Sequence, residues 1–206
     1  MIAYREDSHM AKESDTQLEA GDAAPAFELE GADGETYTPD SFADNEALLV
    51  VFTCNHCPYA QAKFDLLNDL AAEYDEVAVV GINPNDEVAY PDDSFERMQE
   101  LVDDGTIRYD AYLRDESQDV AAAYGAACTP DPFLFRRTDD DGSDSSSDGT
   151  TAFSLAYQGR LDDALNPDEE PTRFHIREAI DSVLAGEEVE LEWQPSRGCS
   201  IKWADE

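Results

Sequence analysis

The chain of 206 residues is long enough to bury one hydrophobic core, and its hydrophobic fraction of 41% is that of an ordinary globular protein. Its 49 acidic and 13 basic residues give a formal net charge of −36, which argues against nucleic acid and anionic membrane as partners. No apolar run approaches the roughly 20 residues that a membrane span requires, and no secretory signal is visible, so a cytoplasmic location is expected.

The acidic residues are spread along the chain rather than collected in one tail. Such a charge destabilises a compact fold through self-repulsion in dilute buffer, whereas at ~1 M salt the screening length of ~3 Å removes most of the repulsion. The pattern therefore favours adaptation to molar salt, as in a halophile, over an acidic surface that binds a basic partner.

Residues 1–21 are predicted to form a flexible acidic arm ahead of a single domain over residues 22–206. The domain begins with a β-hairpin over residues 26–38, which carries Gly and Asp at its turn. A continuous apolar run over residues 48–53 is typical of a central strand that is covered on both faces.

Helices and strands then alternate. A helix is predicted where apolar residues recur at three- and four-residue spacing, and a strand where they are continuous. In chain order these elements are a helix over 59–74, a strand over 77–82, a helix over 94–102, an extended segment over 112–114, a helix over 117–124, a strand pair over 132–136 and 153–157, and a helix over 172–184. The order predicts an α/β fold with a central mixed sheet flanked by helices and an N-terminal β-hairpin extension.

Two later segments differ from the rest. Residues 138–150 are almost wholly Asp, Ser and Gly, which predicts an acidic hairpin insertion that forms a solvated tip rather than a cation site. Residues 187–206 form a C-terminal tail that carries Trp193, Cys199 and Trp203. Because the tail is aromatic, it is expected to pack on the domain.

The chemical centre is Cys54-Asn55-His56-Cys57, at the junction of a predicted strand and helix. A helix start stabilises a thiolate, and a second thiol two residues further on can resolve a mixed disulfide. His56 would add a positive charge that lowers the thiol pKa, and Pro58 suits the first helical turn. The motif predicts a thiol–disulfide oxidoreductase in which Cys54 is the nucleophile and Cys57 the resolving thiol.

A C-x-x-C pair also occurs in zinc sites, which would require two further ligands such as Cys128 and Cys199. The position of the motif between a buried strand and a helix favours redox chemistry, so neither a metal nor an organic cofactor is expected. A metal-binding or interaction module that uses the cysteines as ligands remains the alternative from another class.

Cys128-Thr129-Pro130 precedes the predicted strand over 132–136. Together with the C-x-x-C motif, this segment resembles the thioredoxin superfamily, in which a Thr-Pro or similar pair before that strand holds a cis proline that faces the two cysteines. The resemblance implies a thioredoxin-like fold in which Pro130 is cis and forms the partner-docking groove. The other residues expected at that groove are Thr53, Asn55, Pro58 and Thr129.

Longer segments resemble the redoxin branch of that superfamily, the alkyl hydroperoxide reductase/thiol-specific antioxidant-like proteins, over about residues 21–203. They are FTCNHCPYA, GINPND, YPDDSFERM, YGAACTPDPFLF, YQGRLDD and GCSIKW. The resemblance implies a disulfide-bearing protein or a low-molecular-weight thiol as partner, and a thioredoxin-like electron donor.

A thiol-dependent peroxidase with antioxidant activity is the alternative enzyme. When the peroxiredoxin pattern Pro-x-x-x-Thr-x-x-Cys is aligned on Cys57, Val50 stands at its Pro position and Cys54 at its Thr position. Both mismatches argue against peroxidase activity. The preceding strand also lacks a buried acid, so His56 or solvent is expected to act as the base. Cys128 and Cys199 are predicted to form a second disulfide or a relay with Cys57.

Overall fold

The structure is a computed structural model that describes residues 11–14, 17–138 and 152–204. Within these ranges the strands are β1 (Ala11–Glu13), β2 (Leu29–Gly31), β3 (Thr36–Tyr37), β4 (Ala47–Phe52), β5 (Val77–Asn83), β6 (Ala111–Arg114), β7 (Cys128–Thr129), β8 (Asp131–Thr138), β9 (Ala152–Gln158) and β10 (Arg197–Ser200). The helices are α1 (Pro58–Gln61), α2 (Phe64–Glu73), α3 (Phe95–Asp103), α4 (Asp119–Tyr124) and α5 (His175–Leu184).

A mixed sheet with the strand order β3-β2-β6-β5-β4-β8-β9 forms the body of the domain. Its central strand β4 runs parallel to β5 and antiparallel to β8, and all six of its residues are buried. Side chains alternate between the faces of a strand. Leu48 and its alternate neighbours therefore pack with α4, while Leu49 and its neighbours pack with α2 and α5. The predicted strand covered on both faces and the β2–β3 hairpin are confirmed.

The helix predicted over 59–74 is divided into α1 and α2 by a turn at Ala62 and Lys63. The Lys63 amide donates to the Ala60 carbonyl, which tightens the turn, and the Lys63 ammonium binds both Asp162 carboxylate oxygens at 2.8 and 2.7 Å. This ion pair is nearly buried and lies at the break between the two helices. Only one helical turn directly follows the cysteine motif.

A second sheet has the strand order β1-β10-β7 and joins both ends of the described chain to the cysteine region. Ala11–Glu13 pairs with β10, and the amides of Gly21 and Ala24 donate to carbonyls of β9 at 2.8 Å. Within the predicted arm over 1–21, the backbones of Ala11–Glu13 and Gly21 are therefore hydrogen-bonded to neighbouring strands.

The tail packs on the domain as expected, but for a different reason. Trp193 and Trp203 are 51% and 46% exposed, so burial of tryptophan does not hold it. Instead β10 pairs with β7, the Asn85 side chain accepts from the Lys202 amide at 2.9 Å, and the Gln118 side chain accepts from the Ala204 amide at 2.8 Å.

Gly198 in β10 lies against the backbone of Thr129, where a Cβ atom would be 2.0 Å from the carbonyl oxygen. Strand β10 can therefore approach β7 this closely only with glycine at this position. The acidic segment predicted over 138–150 lies, apart from Thr138, outside the described residues. No helix in the described ranges is long and apolar enough to cross a membrane.

Candidate active site

The cysteine motif leaves the end of β4 and enters α1 at Pro58. Cys54 is fully buried, Cys57 is 1% exposed, and both belong to a hydrophobic cluster with Met98 and Leu101 of α3. Pro58 is exposed. The two thiols thus lie just beneath the surface rather than on it.

Strand β7 brings Thr129 and Pro130 against the two thiols. The Thr129–Pro130 peptide bond is cis, as the resemblance implied. Cys54 Sγ lies 3.3 Å from Thr129 Oγ1, and Cys57 Sγ lies 3.5 Å from the Thr129 carbonyl oxygen. One residue therefore contacts both cysteines of the motif.

Strand β10 adds a third thiol to this group. Cys199 pairs directly with Thr129, and it belongs to the same buried cluster as Cys54 and Cys57. Cys128 pairs instead with Ser200, one position along the strand. Because alternate residues point to opposite faces, Cys128 and Cys199 lie on opposite faces of the pair.

The structure therefore does not support the predicted Cys128–Cys199 disulfide. The Cys128 thiol lies 3.5 Å from the Pro130 carbonyl oxygen, on the face away from the cysteine motif, and Ser196 is its other polar neighbour. Burial raises its pKa, and the nearby Asp131 raises it further. All four cysteines are free thiols in this structure.

Hydrogen bonds set the acidity of Cys57. Donation from the thiols of Cys199 and Cys54, and from the amides of Ala60 and Cys199, lowers the pKa of Cys57 well below its ordinary value despite its burial. Such donors stabilise a thiolate far more than the neutral thiol. The single turn of α1 contributes through the Ala60 amide, so the long helix expected from the sequence is not needed.

The pKa values of Cys54 and Cys199 shift in the opposite direction. Burial, followed by the hydrogen bond to Cys57 and the charge of Asp93, raises the pKa of Cys54. The hydrogen bond to Cys57, followed by burial, raises the pKa of Cys199. These contacts favour Cys57 as the thiolate, whereas the sequence analysis expected Cys54 as the nucleophile.

His56 is paired with a carboxylate that sequence reasoning missed. Its Nδ1 lies 2.6 Å from Oδ2 of the buried Asp93, and this contact raises the pKa of His56. Asp93 Oδ1 also accepts from the amides of Asn55 and His56 at 2.8 and 3.3 Å, while Asn85 Nδ2 donates to Oδ2 at 2.7 Å. Asp93 thus holds the cysteine loop by its backbone.

A signal for Asp93 existed in the sequence, because it lies in YPDDSFERM, one of the segments that carried the resemblance. It was not recognised, since the acid comes from the connection between β5 and α3 rather than from the strand before the motif.

The residues predicted to line a substrate groove are mostly internal. Thr53, Asn55 and Thr129 are buried, and Pro58 alone among the four is exposed. Asn55 receives a hydrogen bond from the Tyr112 hydroxyl at 2.8 Å, and its own Nδ2 donates to the Ser94 carbonyl. Asn55 therefore fixes the loop, and an open groove beside the motif is lined by His56, Gln61 and Arg97.

One set of donor atoms has the composition of a metal site. Ligand atoms of Cys54, His56 and Asp93 lie within 4.8 Å of one another. Both oxygens of Asp93 already accept hydrogen bonds, however, and Asn85 occupies part of its coordination space. The hydrogen-bonded arrangement accounts for these residues without an ion.

The fold and the buried thiols define a redoxin of the thioredoxin superfamily. The chain belongs to the AhpC/TSA family, whose model matches residues 20–140. No curated protein matches the chain.

Solved structures agree with this assignment. A hypothetical protein of Sinorhizobium meliloti is 36% identical, with 94% of this chain and 99% of that chain covered and a TM-score of 0.80. An uncharacterized conserved protein of Geobacillus kaustophilus is 35% identical, with coverage of 96% and 98% and a TM-score of 0.78. The thioredoxin domain of a thiol-disulfide oxidoreductase from Bacteroides vulgatus is 15% identical, with coverage of 69% and 91% and a TM-score of 0.50. This last likeness concerns the fold alone.

Proposed function

We propose that the protein is a thiol–disulfide oxidoreductase in which Cys57 supplies the attacking thiolate and Cys54 resolves the mixed disulfide. The observation that carries the proposal is the position of Cys57 at the N-cap of α1, in one buried cluster with Cys54 and Cys199, where thiol and amide donors lower its pKa. Such donors keep the sulfur ionised near neutral pH, and ionised sulfur is the form that attacks disulfides.

The reaction proceeds in two displacements. Cys57 Sγ attacks one sulfur of the substrate disulfide, forms a mixed disulfide and releases the other substrate sulfur as a thiolate. Cys54 then loses its proton and attacks Cys57 Sγ, which forms the Cys54–Cys57 disulfide and releases the second substrate thiolate. The substrate gains two electrons, and a thioredoxin-like donor or a low-molecular-weight thiol restores the dithiol.

Burial of Cys57 bears on the class of substrate. With 1% of the residue exposed, a protein disulfide can reach the sulfur only after the chain around Cys57 moves. A small disulfide requires less movement. We therefore infer that low-molecular-weight disulfides react faster than folded protein disulfides.

Reduction of glutathione disulfide and of insulin by the prereduced protein in molar KCl tests this function. We expect both to be reduced, with the small disulfide faster, and the oxidised product to contain a Cys54–Cys57 disulfide by peptide mapping. Absence of reaction with either substrate, while the thiols remain free, would refute the assignment.

Family membership favours a second candidate, a thiol peroxidase in which Cys57 attacks a hydroperoxide. Stopped-flow mixing of the reduced protein with hydrogen peroxide separates the candidates. Oxidation of Cys57 much faster than its exchange with glutathione disulfide would favour the peroxidase.

A metal-binding module is tested by metal analysis of protein purified in high salt. A stoichiometric metal that protects Cys54 from alkylation would support that class, and alkylation of all thiols without metal release would support the oxidoreductase. A salt-rich cytoplasm remains the compartment that we propose, from the net charge of −36.

A further inference from the structure

Three thiols rather than two surround Thr129. Cys54 contacts its hydroxyl, Cys57 contacts its carbonyl group, and Cys199 lies directly opposite it in the β7–β10 pair. These contacts are made by the end of β4, the start of α1 and the C-terminal strand β10. The arrangement is thus specific to the folded chain and is not implied by the C-x-x-C spacing.

Cys57 is the shared neighbour within this group. All three thiols belong to one buried cluster, and hydrogen bonding from Cys54 and Cys199 lowers the pKa of Cys57. Cys54 and Cys199 are therefore both neighbours of Cys57, which is the arrangement that a choice between two disulfide partners requires. Cys128, on the other face of β7, is not part of the group.

The surroundings of Cys54 and Cys199 differ in charge. Cys54 lies near the buried carboxylate of Asp93, whereas the ammonium of Lys202 favours the ionised form of Cys199. Lys202 is held in place by the ring of Tyr90, with Nζ 5.3 Å from its centroid. Once Cys57 is oxidised it no longer carries the charge that opposes ionisation of Cys199, and the cation remains.

We propose that Cys199 is a third redox-active thiol that replaces Cys54 as the disulfide partner of Cys57. The proposal rests on the thiol–disulfide chemistry proposed above and adds a second oxidised form of the protein.

The step is a disulfide isomerisation. The Cys199 thiol releases its proton to solvent, and its sulfur attacks Cys57 Sγ of the Cys54–Cys57 disulfide. The Cys57–Cys199 bond forms, the Cys54–Cys57 bond breaks, and the leaving Cys54 thiolate takes up a proton. No electron enters or leaves the protein, so no oxidant or reductant is consumed.

Peptide mapping of the whole oxidised chain tests the proposal first. Trypsin cleaves after Arg197 and Lys202 and releases Cys199 in the peptide GCSIK, while Cys54 and Cys57 remain together in one peptide. We expect a fraction of the wild-type protein to contain GCSIK linked to that peptide. The link should increase with the time allowed between oxidation and alkylation.

Paired variants isolate the bond. In Cys54→Ser/Cys128→Ser, oxidation with glutathione disulfide should consume both remaining thiols and yield the Cys57–Cys199 link in most molecules. In the matched control Cys54→Ser/Cys199→Ser, Cys57 should stop as a mixed disulfide with glutathione while Cys128 stays free. Circular dichroism in molar KCl checks that each variant is folded.

Lys202→Gln tests whether the Lys202 ammonium favours ionisation of the Cys199 thiol. Loss of the ammonium raises the pKa of Cys199 and should lower its thiolate fraction about threefold. The rate of Cys57–Cys199 formation should fall by that factor and its pH profile should move upward, while Cys54–Cys57 formation stays unchanged. A purely structural role of Lys202 would leave the pH profile in place.

The proposal and the function beneath it fail in different ways. A wild-type protein that forms the Cys54–Cys57 disulfide, beside a folded Cys54→Ser/Cys128→Ser variant that keeps a free Cys199, would overturn the third-thiol proposal alone. A wild-type protein that forms no disulfide and reduces no substrate would overturn the proposed function.

Discussion

The two faces of the small β1-β10-β7 sheet place two buried cysteines in contrasting surroundings. Cys199 packs in one buried cluster with Cys57 on one face, whereas Cys128 on the other lies near the Pro130 carbonyl and the carboxylate of Asp131. Both residues are less than 5% exposed. Burial alone therefore does not distinguish the two thiols. The groups that surround each sulfur distinguish them.

Substitution of Cys57 has the largest expected effect on this comparison. Cys57→Ser removes the sulfur that receives the donors, so reduction of glutathione disulfide should fall by at least about 100-fold. Cys128→Ser, on the opposite face, should change the rate less than about twofold. The comparison would fail if the two variants lost similar activity while remaining folded.

Gly198→Ala is expected to disrupt the β7–β10 pair, which carries Cys128 on one face and Cys199 on the other. The added methyl would lie 2.0 Å from the Thr129 carbonyl oxygen, which only a shift of β10 can relieve. We expect a loss of about 3 kcal/mol in the free energy of unfolding, measured by chemical denaturation. The control Ser200→Ala, in the same strand, should cost less than about 0.5 kcal/mol.

Asp131→Asn tests the charge state of the buried carboxyl group near Cys128. Burial raises the pKa of Asp131 to about 6, although the Ala127 amide and the Ser14 hydroxyl donate to its carboxylate. Because the folded protein holds this proton more tightly than the unfolded chain, its stabilising contribution is complete below about pH 4 and is lost as the pH rises through about 6.

The amount lost across that interval is about 2–3 kcal/mol. The difference in the free energy of unfolding between wild type and Asp131→Asn should change by this amount between pH 4 and 6, since all other carboxyl groups are common to both proteins. A constant difference over the interval would show that Asp131 titrates normally.

His56→Ala should have the smallest effect. The sequence analysis expected its charge to lower the thiol pKa, but in the structure that charge faces Asp93 at 2.6 Å and is largely compensated. We expect the pKa of Cys57, measured from thiolate absorbance, to change by less than about one unit, or about 1.4 kcal/mol. A rise of several units would restore His56 as the main determinant of thiol acidity.

The central sheet was predictable from the sequence because local patterns of apolar residues indicate its strands. The apolar run of β4 and the alternation of helices and strands specify the central elements without knowledge of distant contacts. The resemblance at the C-x-x-C motif and at Thr129–Pro130 added the cis peptide and the position of the two thiols.

The remaining features of the site depend on contacts between distant segments. Asp93 lies 37 to 38 residues from its partners in the cysteine loop, and Cys199 reaches Cys57 only because β10 pairs with β7. The register of that pair decides that Cys199, and not Cys128, joins the site. A one-residue shift of β10 would move Cys199 to the face of Cys128, and no pattern within a strand of four residues fixes such a register.

The late position of β10 in the chain has a consequence for biosynthesis. Cys199 is translated about 140 residues after Cys57, an interval on the order of ten seconds at ordinary elongation rates. During that interval the nascent polypeptide carries the C-x-x-C pair without the thiol and amide donors that β10 brings. The low pKa of Cys57 is therefore acquired only when the newly made strand docks.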